Sequence, residues 1–202
     1  VVDEAHAGGV FGPEGQGFRI MLDSTNPERI LVGAEAVGLG RRALDKAAAY
    51  ARERVVFGRP IGQNQSIQHP LAESWMELAA ADLMVWRAAG LYDAGRPCGA
   101  EANAAKYLAA EAALTAADRA LRTHGGFGYA REFHVERYFR EAMVPRIAPV
   151  SRELILSYIA ERQLGHLVEE LLRRRHRRPA DRGKLAGELH HFGHQLTIGA
   201  DA

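Results

Sequence analysis

The chain has 202 residues, of which 47% are hydrophobic and 25% charged, and 26 Lys+Arg against 25 Asp+Glu leave a formal net charge of +1. This is ordinary globular usage; it argues against wholesale disorder, a polybasic nucleic-acid binder or an acidic tail protein. Cys98 is the single cysteine, so no intrachain disulfide can form, and a reducing, cytoplasmic setting is expected. No apolar run reaches the roughly 18 residues of a transmembrane helix, and no signal-like segment opens the chain, so no membrane association is expected.

Aromatics are scarce at 7%, alanine is plentiful, and few runs alternate with a two-residue period. Helices packed through small side chains are therefore expected. Residues 1–18 read as irregular, punctuated by glycines, with Val1-Val2 and Phe18 to Met21 as possible short strands. The first long helix is predicted from Asn26 to about Arg54, with Asn26 as N-cap, Pro27 in the first turn and Glu28 at the positive end of the dipole. Gly33 and Gly38 weaken it but admit a neighbouring backbone. The segment Phe57-Gly58-Arg59-Pro60 breaks it.

A second helix is predicted over 66–94, where Ile67, Leu71, Trp75, Leu78 and Val85 fall near one face. A third runs over 100–123, with Ala105, Leu108, Ala112 and Thr115 as a narrow stripe. A short helix over 135–142 pairs Glu136 with Arg140 at i,i+4 spacing. The last is predicted from about Pro149 to Leu172. Short links between four substantial helices predict an all-α, antiparallel four-helix bundle. Beyond it, the basic run 173–178 opens a polar segment, 173–202, expected to be poorly ordered.

Two constellations could carry chemistry. Arg54, Phe57, Gln65 and Gln68 lie around a helix break, where an arginine, an aromatic face and amides could hold an anionic ligand. Equally, Arg54 could complement the helix C-terminus while Phe57 packs in the core. The second is Thr123-His124-Gly125-Gly126-Phe127-Gly128-Tyr129, where paired glycines could let backbone approach a phosphate or simply end a helix. Cys98 sits in a turn without an evident base. His190, His191 and His194 lack a supporting Cys or carboxylate pattern, so no metal site is expected.

Taken together, three strings resemble the acyl-CoA dehydrogenase family. They are the stretch from Ala47 through Arg54-Val55-Val56-Phe57-Gly58-Arg59-Pro60-Ile61 to Gln68; Thr123 through Tyr129 followed by Val135-Glu136-Arg137-Tyr138-Phe139-Arg140-Glu141-Ala142; and Gly33-Ala34-Glu35-Ala36-Val37-Gly38-Leu39-Gly40. The resemblance spans roughly residues 8 to 164 in family order. It implies an FAD flavoprotein that oxidises acyl-CoA thioesters to 2-enoyl-CoA, as in fatty acid β-oxidation, and passes electrons to an electron-transferring flavoprotein. It also implies a homodimer or homotetramer. Residues 1–24 then read as the end of a middle β domain, 25–172 as the C-terminal bundle, and the whole as the C-terminal part of a longer enzyme.

By the same resemblance, Arg54 and Phe57 match positions that contact the FAD of a neighbouring subunit, and Gln65 an amide near it. Gly125 and Gly126 match the pair at the FAD pyrophosphate. Arg122 stands where many members carry glutamine. Ser151 and Glu153 fall where the family meets the flavin side of the cofactor. The family's usual base is the Glu of a Tyr-Glu-Gly-Thr segment, and Pro149 of Ala148-Pro149-Val150-Ser151 occupies that position. In a minority pattern the base stands at the start of the bundle's first helix, directly before an arginine. Glu28 with Arg29 fits that pattern, so Glu28 is expected to abstract the α-proton and Arg29 to place the substrate or order the site. Glu35, seven residues on, is a rival carboxylate, read as structural. Two alternatives remain: a flavin monooxygenase on the same fold, or a non-catalytic chain that completes another subunit's FAD site.

Overall fold

The computed structural model describes residues 12, 13 and 15–165. The chain divides into two units, Val1–Ile159 and Ala160–Ala202. The segment 173–202, with His190, His191 and His194, and the candidate strand Val1-Val2 lie outside the described residues. The elements are α1 (Gly17–Ser24), α2 (Asn26–Glu53), a hairpin of β1 (Val55–Val56) and β2 (Arg59–Pro60), α3 (Gln65–Asp93), α4 (Gly99–His124), α5 (Val135–Ala142), α6 (Val144–Ile147) and α7 (Arg152–Gln163), with 3₁₀ turns at Ile61–Gln63, Gly125–Tyr129 and Arg131–Phe133. The fold is all-α apart from the two-residue strands, and no described helix is long and apolar enough to cross a membrane.

Chain direction follows from what two glycines of α2 touch. A Cβ at Gly33 would lie 3.2 Å from Val85 and 3.5 Å from the backbone of Ala105; one at Gly40 would lie 2.6 Å from Leu78 and 2.9 Å from the Cα of Ala113. Moving up α2, the neighbour on α3 falls in number and the neighbour on α4 rises. So α3 runs antiparallel to both α2 and α4. The shared core is mostly alanine, with Ala36, Ala81, Ala88, Ala102, Ala105, Ala109, Ala113 and Ala116 all at 1% exposure or less. Each buried methyl contributes only about 0.8 kcal/mol, so close fit has to make up for small side chains. Gly33 and Gly40 supply that fit, whereas Gly38 faces open space.

Several local expectations change. Asn26 is the first residue of α2 rather than its cap, because α1 runs into it through Thr25, whose carbonyl accepts from the Arg29 amide. Phe18 to Met21 is helical, not extended. Trp75 and Leu108 point outward at 65% and 41% exposure; the α4 stripe is alanine at 105, 109, 112 and 116 instead. Phe57 is fully exposed, so it is no core residue.

The fourth position of the bundle is not one helix. α5 packs Val135, Tyr138 and Ala142 against Ala43, Ala47, Ala117 and Ala120, and Arg140 donates to Glu136 at 2.9 Å as its spacing predicts. The chain then descends α4. Arg146 donates to Glu111 at 2.9 Å, Lys106 donates to the Val150 carbonyl at 2.6 Å, and Tyr158 reaches Gly99. This descending arm comprises α5, α6, a connector at 148–151 and α7. Pro145 sits in the first turn of α6, and Pro149 in the connector has no N–H to continue that helix; α7 begins at Arg152 rather than near Pro149.

Candidate active site

The break in the descending arm leaves a cavity of about 440 Å³ against α2. Glu28, Val32, Glu35 and Leu39 line it from α2, at spacings that put them on one helical face. Glu141, Val144, Pro145, Ala148 and Pro149 line the opposite wall. The sequence-predicted base, Glu28, and Pro149, which the resemblance puts at the position of the family's usual base, thus border one space. Glu35 borders it too, which its reading as a packing residue missed. Glu141 is held by Arg137 at 3.1 Å, while Glu28 sits in the first turn of α2, where the helix N-terminus favours a carboxylate.

Arg29 turns the other way. It is 5% exposed and does not line the cavity; its guanidinium donates to Asn26 Oδ1 at 2.9 Å and reaches the Leu22 carbonyl at 3.5 Å. Burial lowers its pKa from the ordinary arginine value. Its Nε has no hydrogen-bond partner among the described residues. From there it can order the first turn of α2, and with it Glu28.

A second cavity, about 500 Å³, gathers Arg54, Arg122, Gly125 and Gly126 with Tyr50, Val56, Ile61, Thr123, His124 and Phe127. Arg54 lies over the Phe127 ring, 5.8 Å from its centroid, and Arg122 pairs with Asp118 at 2.8 Å. Beneath them the His124 ring stacks on Tyr50 at 4.3 Å and its Nδ1 meets the Ala120 carbonyl at 2.8 Å. Burial holds the His124 pKa below the ordinary histidine value. His124 was not singled out in the sequence; its place directly before the glycine pair was the available signal.

The glycines separate the two readings of this corner. Gly125 has φ +59° and ψ −132°, which alone accounts for glycine there. Gly126 has no positive φ, and a Cβ on it would meet nothing within 4 Å. Neither conformation nor packing demands glycine at 126. A backbone kept bare beside two guanidiniums suits close approach of a pyrophosphate, so these residues fit an FAD. Phe57, at the hairpin tip, and Gln65, the exposed first residue of α3, do not line this cavity. Ser151 and Glu153 line a third cavity of about 350 Å³ with Met143, Arg146, Ile147 and Arg152. Among the described residues no group of His, Cys, Asp or Glu could hold a metal.

Comparison with known proteins assigns this architecture. Residues 15–164 match the family model of the acyl-CoA dehydrogenase C-terminal domain. The chain is 43% identical over 161 residues to acyl-CoA dehydrogenase FadE12 of Mycobacterium tuberculosis, covering 79% of this chain and 42% of that protein. Among solved structures it is similar to butyryl-CoA dehydrogenase from Megasphaera elsdenii, with a TM-score of 0.73, 35% identity and coverage of 76% of this chain and 40% of that one. It is likewise similar to a glutaryl-coenzyme A dehydrogenase solved with glutaryl-CoA, at TM-score 0.73, 38% identity and coverage of 77% and 40%. The chain therefore belongs to the acyl-CoA dehydrogenase family and carries its C-terminal helical domain. It spans about two fifths of the length of these relatives.

Proposed function

We propose that this chain is the bundle portion of an FAD-dependent acyl-CoA dehydrogenase in which Glu28 is the catalytic base. The observation that supports this most is that Glu28 and Pro149 line one cavity from opposite walls. A carboxylate on the α2 side can reach the space that the family's usual base would enter from the connector. Glu28 takes the α-proton of the thioester; FAD, when bound, supplies the acceptor for the hydride leaving the β-carbon. Arg54 and Arg122 supply charge to the cofactor's pyrophosphate, Gly125 and Gly126 its backbone floor, and Ser151 and Glu153 a contact nearer the flavin. Arg29 fixes the turn that carries Glu28.

Phe57 and Gln65, outside the Arg54 cavity, fit a cofactor shared between copies in a homodimer or homotetramer. Electrons then leave to an electron-transferring flavoprotein. The test is acyl-CoA bleaching of the flavin absorbance in the FAD-loaded enzyme. Glu28→Gln retains FAD and loses turnover; full turnover in that variant refutes the assignment of the base.

A further inference from the structure

We propose that Lys106 is a positioning residue: it holds the connector at 148–151, and through it the wall that Ala148 and Pro149 present to the Glu28 cavity. Lys106 is 1% exposed and is the largest of the fully buried side chains. Its buried neighbours along α4 are alanines at 102, 105, 109 and 110, with Asn103 turned to the Gly99 carbonyl. A lysine among alanines is costly, since an ammonium loses its water on burial. Burial lowers the Lys106 pKa; nearby Glu111 opposes the shift and Arg29 adds to it. An apolar side chain there would be spared that desolvation, so burial alone does not explain the lysine.

Its geometry does. The ammonium donates to the Val150 carbonyl at 2.6 Å, a charge-assisted bond. Val150 lies between Pro149, which lines the Glu28 cavity, and Ser151, which lines the third cavity. The connector has few bonds of its own. The Ala148 amide donates to Val144, Pro149 has no N–H, and the amides of Leu154 and Ile155 bond back to Ser151. On either side, Arg146 meets Glu111 at 2.9 Å and Arg152 meets Tyr107 at 3.4 Å. Three residues of α4, Lys106, Tyr107 and Glu111, thus clamp a stretch that cannot brace itself. The catalytic consequence rests on the Glu28 cavity being the acyl site; the hold on the connector does not.

Hydrogen exchange on the 202-residue chain separates these. In Lys106→Met the amides of Leu154 and Ile155 exchange about tenfold faster, while those of Ala109 and Ala113 keep their protection. Lys106→Gln, which retains a donor, recovers part of the protection, and serves alone against wild type if the Met variant does not fold. Unchanged exchange at Leu154 and Ile155, or equal acceleration throughout α4, overturns the inference whatever turnover does. In the FAD-loaded enzyme, Lys106→Met lowers kcat about tenfold without lowering the thermal midpoint. Faster exchange at Leu154 and Ile155 with unchanged kcat overturns the catalytic half. If Glu28→Gln also turns over normally, the fault lies in the reading of the cavity instead.

Discussion

Glu28 and Pro149 line one cavity from opposite walls, one at the start of α2 and the other in the connector before α7. Under the proposed reading, two places from which a carboxylate could serve the substrate face one cavity although 121 positions apart in sequence (149 − 28). Glu28→Gln should lower turnover of the FAD-loaded enzyme by about 10²–10⁴-fold, the usual contribution of a positioned base. Glu28→Gln combined with Pro149→Glu should recover at least part of that loss. Steady-state rates with one acyl-CoA decide it; no recovery would show that the connector wall cannot present a base.

The FAD corner predicts unequal arginines. Among the described residues Arg122 already pairs with Asp118, whereas the Arg54 guanidinium lies over the Phe127 face and has no ion pair. Arg54→Ala should weaken FAD binding about 10–100-fold, the range for losing a charge-assisted contact. Arg122→Gln should change it by no more than about fivefold, because an amide still donates. Flavin fluorescence titration of the apoenzyme measures both.

Gly40 and Gly38 make a paired test of the packing. At Gly40 a Cβ would sit 2.9 Å from the Ala113 Cα, while at Gly38 it meets nothing within 4 Å. Gly40→Ala should cost about 1–3 kcal/mol, the price of overpacking. Gly38→Ala should gain up to about 1 kcal/mol from helix propensity. Urea unfolding of the two variants gives both signs.

His124 predicts acid sensitivity. Burial chiefly holds its pKa below the ordinary histidine value; the hydrogen bond to Ala120 opposes this and the Lys46 charge adds to it. The unfolded chain takes up a proton near the ordinary value while the native histidine stays neutral. Stability from this group is therefore complete above that value and falls as pH drops toward the depressed native one. His124→Gln should flatten the fall. The difference between variant and wild-type urea midpoints, at about pH 7.5 and about pH 5.5, checks the sign.

The long helices were legible because their signals are long. Pro27 and Glu28 marked the start of α2, whereas the face of α4 was only half legible: Ala105 and Ala112 are buried, but Leu108 is not. Trp75 and Leu108 misled because neighbouring positions on a helix differ by a hundred degrees, so an apolar residue one step off the stripe points outward. The hairpin, α6 and the 3₁₀ turns are too short for periodicity to detect. At the site, the motif strings named Arg54, Gly125 and Gly126 and the family's minority pattern named Glu28, but only the packed chain brings Glu28, Glu35 and Pro149 to one space. The inward turn of Arg29 depends on Asn26 and on the Leu22 carbonyl, a pairing that only the close junction of α1 and α2 creates.

The connector at 148–151 takes no part in the alanine core that folds the domain. Chemical variation can therefore accumulate there with little penalty to folding, while the buried alanine faces of α2, α3 and α4 leave little room for larger side chains. One short stretch is free to evolve a new reaction wall while the frame around it stays constant.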